Sequence, residues 1–275
     1  MGNRSQAGGR GAAAIAAAKA LSASRLIPGL GSPTPVPGTA ETALFLDLDG
    51  TLLEFAPTPD AVQVDAKLPA LLLKLHAALN GALALVSGRP LAAIDTLFGL
   101  PQLAAVGQHG AEIRIPGEPV QRATIVPHAL DGARTLARTH PAIANGVRIE
   151  DKGVALAFHY REMPGAEPLA RELAADALQS AGAGFELLRG NCVIELKSAR
   201  IDKGRALGAL MERPPFRGRT PWMLGDDYTD EPAFATAQAL GGTGVIVGPA
   251  RVSVAHGALA DVAAVHAWLE RFAGI

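Results

Sequence analysis

The run Ala43-Leu44-Phe45-Leu46-Asp47-Leu48-Asp49-Gly50-Thr51 constrains this chain more than any other, because an uninterrupted apolar segment ends in two carboxylates and then turns at a glycine. Ala43 to Leu46 suit a central strand of a parallel sheet buried on both faces. Asp47 then emerges at the carboxyl end of that strand, the rim where open α/β sheets hold their ligands. A carboxylate there can act as a nucleophile. A hard cation bound by it could be joined by nearby backbone oxygens, with Asp49 two residues on. Gly50 lets the backbone approach an anion closely, and Thr51 adds a hydroxyl donor. The plainer reading of the same run is a strand followed by an Asp/Gly turn.

Three further motifs follow in order. Leu83 to Val86 form a second short apolar strand, followed by Ser87-Gly88-Arg89 and by Pro90 at a helix start, an arrangement whose hydroxyl and backbone N–H groups suit a phosphate. Lys203-Gly204 opens a helical stretch and could balance the charge of a nucleophile and a phosphate together. Trp222-Met223-Leu224 then runs into Gly225-Asp226-Asp227-Tyr228-Thr229-Asp230-Glu231, whose carboxylates repel one another unless a cation, a lysine or solvent compensates them.

In this order the motifs resemble those of the haloacid dehalogenase-like phosphatases. The resemblance implies Mg2+ as cofactor, Asp47 as nucleophile and first ligand, and Asp49 as general acid and base with its backbone carbonyl on the metal. It further implies Asp226 as the second side-chain ligand, Asp227 and Asp230 as supports of metal and lysine, and Thr51, Ser87, Gly88 and Lys203 as holders of the phosphate.

The 275 residues suffice for one large or two modest domains, and a formal net charge of -1 gives no electrostatic case for nucleic acid or a membrane surface. One cysteine, Cys192, excludes an intramolecular disulfide and fits a reducing, cytoplasmic compartment. No apolar stretch has the length of a membrane span. Residues 1–40 carry four basic residues and no acid, and read as a mobile tail with a short helix around Ala12 to Leu26. From 41 to 115 strands alternate with helical patterns at Leu68 to Leu79 and Pro90 to Phe98. Residues 116–197 change character: hairpins over Val147 to Arg161 and Phe185 to Lys197 alternate with helical patterns at Ala129 to Arg138 and Glu167 to Ser180. Residues 198–275 return to the first pattern. The expected fold class is α/β, a Rossmann-like parallel-sheet core with an inserted α+β cap domain.

Period two places Glu195 and Lys197 on one face of a strand and Ile194 and Leu196 on the other. A charged pair on the concave face of a lid can hydrogen-bond sugar hydroxyls. At this level the chain resembles the trehalose-6-phosphate phosphatases through Gly107-Gln108-His109-Gly110-Ala111-Glu112, Glu150-Asp151-Lys152-Gly153, Phe158-His159-Tyr160-Arg161, Gly190-Asn191 with Glu195-Leu196-Lys197, and the Gly225 to Glu231 heptad. That resemblance implies hydrolysis of trehalose 6-phosphate through an aspartyl phosphate. It places Glu150, Lys152, Asn191, Glu195 and Lys197 against the sugar, with Arg89 and His109 near the junction of core and cap. The implied partner is a small sugar phosphate, with no obligate protein partner. A phosphatase or phosphomutase of the same superfamily acting on another sugar phosphate, and a non-catalytic sugar-phosphate-binding module, stay open as alternatives.

Overall fold

A computed structural model describes residues 25–27, 34–56, 62–123, 128–190 and 192–274. In chain order its elements are β1 (Arg25–Ile27), β2 (Thr42–Leu46), α1 (Lys67–Ala78), β3 (Leu83–Val86), α2 (Leu91–Phe98), β4 (Ala104–Gly107), β5 (Glu112–Arg114), β6 (Gln121–Arg122), α3 (Asp131–Thr139), α4 (Pro141–Ala144), β7 (Arg148–Asp151), β8 (Ala155–His159), α5 (Glu167–Ala181), β9 (Phe185–Gly190), β10 (Val193–Ser198), α6 (Lys203–Met211), β11 (Thr220–Gly225), α7 (Glu231–Ala239), β12 (Thr243–Val247), β13 (Arg251–Ser253), β14 (Gly257–Leu259) and α8 (Val262–Ala273).

The larger sheet runs β14-β12-β11-β2-β3-β4-β5-β6 and is parallel from β14 through β4. Every residue of β2, β3 and β4 is buried, which requires cover on both faces and explains their continuous apolar sequence. Helix α1 packs on α8, and α6 packs on α7. Stacked pairs Phe45–Phe216, Trp222–Trp268 and Trp268–Phe272 fill the core beside the strands.

The second sheet, β7-β8-β10-β9, is wholly antiparallel. Helices α3 and α5 pack together, and α5 lies against β8, β9 and β10. Leu156, Phe158, Ile194 and Leu196 join Ala170, Leu173 and Ala177 in an apolar core separate from that of the large sheet. The strand alternation therefore holds, with Ile194 and Leu196 turned inward. The chain leaves the large sheet after β6 and re-enters it at β11, so the smaller unit is an insertion.

Two expectations need correction. The large sheet does not end at Ile115: β5 already runs antiparallel to β4, and after Pro116 the chain reverses again and adds antiparallel β6, so the sheet reaches Arg122. Nor do residues up to 40 stand clear of the core. Arg25–Ile27 pairs with Arg251–Ser253, which rules out a helix continuing through Leu26. Buried Thr34 donates from Oγ1 to Ala258 O at 2.6 Å, and Trp268 Nε1 donates to Thr34 O and Pro35 O. The helix expected from Ala12 otherwise lies outside the described residues. Among the described residues, no helix is long and apolar enough to cross a membrane.

Candidate active site

Parallel pairing of β2 with both β3 and β11 brings three strand ends to one rim, because Leu46 is in register with Leu85 and with Leu224. The next residues along each strand deliver Asp47, Ser87 and Asp226 together. Gly50, at φ +87°, is required there: a Cβ would stand 2.3 Å from Asp226 Oδ2. Gly225 is equally constrained, since its Cβ would meet Asp230 Cγ at 2.4 Å.

Lys203, at the first turn of α6, is buried between two carboxylates. Its Nζ donates to Asp47 Oδ1 and to Asp230 Oδ1, each at 2.6 Å. Burial disfavours its charge, but Asp230 and Asp47 outweigh that and hold its pKa above the ordinary lysine value. Asp230 is fully buried, and its other oxygen accepts from the backbone N–H groups of Asp226 and Asp227. Asp227 accepts from Tyr228 N and shares a capping box with Asp230, so the acidic heptad is a turn held by its own side chains.

Burial and the neighbouring acids push both Asp47 and Asp226 upward, with Lys203 opposing in each case. Asp226 Oδ1 is buried with no hydrogen-bond partner among the described residues. Oxygens of Asp47, Asp226 and Asp230 lie within 4.8 Å of one another. An all-oxygen set with an orphaned buried carboxylate oxygen suits a hard divalent cation, which would offset the repulsion that burial magnifies. Asp230 has both oxygens engaged already, so Asp47 and Asp226 are the side chains with capacity to spare.

Asp49, close enough to Asp47 to help raise its pKa, is held by Arg89. Arg89 Nε and Nη2 donate to its two oxygens, each at 2.7 Å. Ser87 is buried and its Oγ accepts from Arg89 N at 3.1 Å. The Ser87–Arg89 loop is braced from below: Gln108 N donates to Arg89 O, His109 N to Ser87 O, and Leu91 N to Glu112 Oε2. Gln108 and His109 both have left-handed backbone, at φ +48° and +56°. Such conformations cost about 1–3 kcal/mol each in non-glycine residues and concentrate at functional sites.

A cavity of about 740 Å³ connects this rim to the antiparallel sheet. Its far wall carries Glu150, Lys152, His159 and Glu195. Lys152 Nζ donates to Glu195 Oε2 at 3.0 Å and reaches Gly88 O at 3.5 Å, while His109 Nε2 stands 3.2 Å from the same Glu195 oxygen. Residues of both units thus meet on one carboxylate. Burial alone would raise Glu195, but His109 and Lys152 hold it well below the usual carboxylate range. Glu150 lies 2.9 Å from His159 Nε2, a contact that lowers its pKa against the effect of burial.

Two expected residues, Thr51 and Lys197, are not brought to the cavity wall. Thr51 is fully buried beneath it, with Oγ1 unpartnered among the described residues. Lys197 shares the face of Glu195 but sits at the end of β10, where its Nζ donates to Glu186 Oε1 at 2.6 Å and to Ile201 O at 2.5 Å. It ties the strand to the segment leading into α6 and does not reach the cavity. Asn191 lies outside the described residues. Conversely, Phe55, Arg148, His159 and Arg161 line the cavity without having been singled out individually. Cross-strand pairing supplies the missing signal for two of them, since Arg148 is opposite His159 in the β7–β8 ladder.

An inserted antiparallel unit joined to a parallel sheet, with two strand-end aspartates and a buried lysine at the rim, is the fold of haloacid dehalogenase-like hydrolases. The trehalose-phosphatase family model matches residues 45–261. The chain is 45% identical over 209 residues to a probable trehalose-phosphate phosphatase of Sinorhizobium fredii, covering 75% of this chain and 78% of that one. It is 40% identical over 236 residues to the trehalose-6-phosphate phosphatase of Escherichia coli, covering 84% and 86% respectively. The C-terminal domain of the C. albicans trehalose-6-phosphate phosphatase shares the fold at a TM-score of 0.79 and 22% identity, covering 90% of this chain and 98% of that one. This chain belongs to the trehalose-phosphatase family.

Proposed function

We propose that this chain hydrolyses trehalose 6-phosphate to trehalose and inorganic phosphate, with Asp47 as the nucleophile. The observation that carries the reading is that one cavity joins the cluster of Asp47, Lys203 and Asp226 to the sugar-sized wall bearing Glu150, Lys152 and Glu195. Carboxylates accept from sugar hydroxyls and the ammonium donates to them.

Asp47 attacks phosphorus in line, forming an aspartyl phosphate as the bond to the sugar oxygen breaks. Asp49 gives a proton to that departing oxygen, and Arg89 must release at least one Asp49 oxygen for this to happen. Asp49 then takes a proton from the water that attacks the aspartyl phosphorus, which frees phosphate and restores Asp47. Lys203, Ser87 and the backbone N–H of Gly88 hold the transferring group. Asp227 and Asp230 keep Lys203 and Asp226 in place. Asp47, Asp226 and the backbone carbonyl of Asp49 would hold Mg2+, which would offset charge on the phosphate oxygens. The inserted unit serves as a cap that excludes bulk water and opens to release trehalose. Arg89 and His109 sit where cap and core meet. A cytoplasmic location fits the single cysteine.

The test is phosphate release from trehalose 6-phosphate with added Mg2+ and after exhaustive chelation. Release that needs the metal supports the reading. Release unaffected by chelation would remove the cation from it, and failure to cleave this ester would remove the substrate.

A further inference from the structure

We propose that Phe55 is a specificity residue whose ring receives the apolar face of the hexose that carries the phosphate. This rests on the reading of the cavity as a sugar-phosphate site. Phe55 is 45% exposed, whereas every other phenylalanine of the chain is buried or half-buried. Leaving so large an apolar side chain in water forgoes stabilisation that the other phenylalanines gain, and so its position calls for an occupant. Among the described residues it is also the only Phe, Tyr or Trp lining the cavity.

Its location within the cavity is specific. The ring's Cζ lies 2.8 Å from where a Cβ on Gly50 would stand, so the ring tip packs on the backbone next to Asp49. Asp49 is the group that protonates the departing sugar oxygen. The ring of the hexose bearing that oxygen begins two bonds further on, beyond one exocyclic carbon, which places the sugar ring beside Phe55 rather than across the cavity. A pyranose has one polar rim and C–H faces. The charged groups of the far wall meet the rim, and an aromatic ring is the surface complementary to a C–H face.

Arg161, which follows β8 in the inserted unit, places its guanidinium 5.4 Å from the centroid of the same ring. A cation over an aromatic face is attracted by the ring quadrupole. That contact crosses from one unit to the other, and Phe55 stays 45% exposed beside it, with ring surface left for a sugar to cover.

The experiment compares kcat/KM of the full-length wild type with those of Phe55→Ala, Phe55→Leu and Phe55→Tyr on trehalose 6-phosphate and on acyclic glycerol 3-phosphate. Aromatic leaving groups are avoided because they would stack on Phe55 themselves. Expected are a loss of roughly tenfold for Phe55→Ala on the sugar ester, an intermediate loss for Phe55→Leu, near-retention for Phe55→Tyr, and losses below about threefold on glycerol 3-phosphate. Equal losses on both esters would show that the ring only supports the Gly50 turn, and no loss on the sugar ester would show that it contacts nothing; either overturns the proposal. A wild type that leaves trehalose 6-phosphate intact but cleaves another hexose phosphate would overturn the substrate reading alone, and the same variants on that ester would decide the role of Phe55.

Discussion

Arg89 grips both carboxylate oxygens of Asp49 through two parallel hydrogen bonds of 2.7 Å. The pair spans the Ser87–Arg89 loop and the turn after β2, and it sets the direction in which the proposed acid and base points. A bidentate fork fixes a carboxylate in plane as well as in position, which an ammonium cannot do. Arg89→Lys therefore keeps the charge but loses the orientation. Steady-state assays should show kcat on trehalose 6-phosphate falling roughly ten- to a hundredfold, while the melting temperature stays near that of the wild type. Unchanged kcat would mean that Asp49 is oriented by something else.

Glu195 and Lys197 share a strand face but do different things. Glu195 faces the cavity, so Glu195→Gln should lower kcat/KM on trehalose 6-phosphate by about ten- to a hundredfold, with a much smaller effect on glycerol 3-phosphate. Lys197 anchors the end of β10 to Ile201 O, and Lys197→Met leaves that carbonyl and Glu186 without their partner. It should reduce turnover of both esters alike and lower the unfolding free energy by about 1–3 kcal/mol. A selective loss on the sugar ester in the Lys197 variant would return that residue to the sugar site.

The Glu195 carboxyl also gives the cap a pH signature. Burial pushes it up, but His109 and Lys152 more than compensate and hold it below its ordinary value of 4.5. A folded-state pKa below the unfolded one contributes stability that is fully present above the unfolded value and is lost as pH falls towards the folded value. Urea denaturation of wild type and Glu195→Gln between pH 7 and pH 3 should therefore show the wild type losing stability relative to the variant below about pH 4.5. A difference that stays constant across the range would show that the carboxylate gains nothing from its partners.

Thr34 makes the amino-terminal boundary testable. Its Oγ1 hydrogen bond to Ala258 and its carbonyl bond from Trp268 place it inside the core of the large sheet unit. Deletion through residue 40 should lower stability by about 1–3 kcal/mol relative to deletion through residue 24, measured by chemical denaturation. Equal stability of the two truncations would show that these contacts contribute nothing measurable.

The parts of the molecule that sequence exposes are those set by short-range pattern. Strands β2 and β3 are visible because a strand buried on both faces must be apolar throughout, and the strand-end acids stand out because nothing in a core explains them. The alternation of β10 likewise separates Ile194 and Leu196 from Glu195 and Lys197. What alternation cannot give is distance along the strand. Two residues beyond Glu195, Lys197 has already passed the cavity and reached the connection to α6. Thr34 was hidden for a similar reason: its hydrogen bonds go to residues more than 200 positions away, and its Pro-rich surroundings have no periodicity. Strands β5 and β6, of three and two residues, are too short to show a period. Phe55 follows the Asp49-Gly50-Thr51 turn with no signal of its own, and only its exposure in the folded chain marks it.

The central claim is that Asp47 carries the phosphoryl group of trehalose 6-phosphate. It is tested most directly by phosphate release from that ester, measured side by side for wild type and Asp47→Asn, with folding of the variant checked by its melting curve. Replacement by the amide keeps the volume and removes the nucleophile. The account predicts Mg2+-dependent release by the wild type and a loss of at least about a thousandfold in kcat for the variant, roughly 4 kcal/mol of barrier. Substantial turnover by a folded Asp47→Asn protein would contradict it.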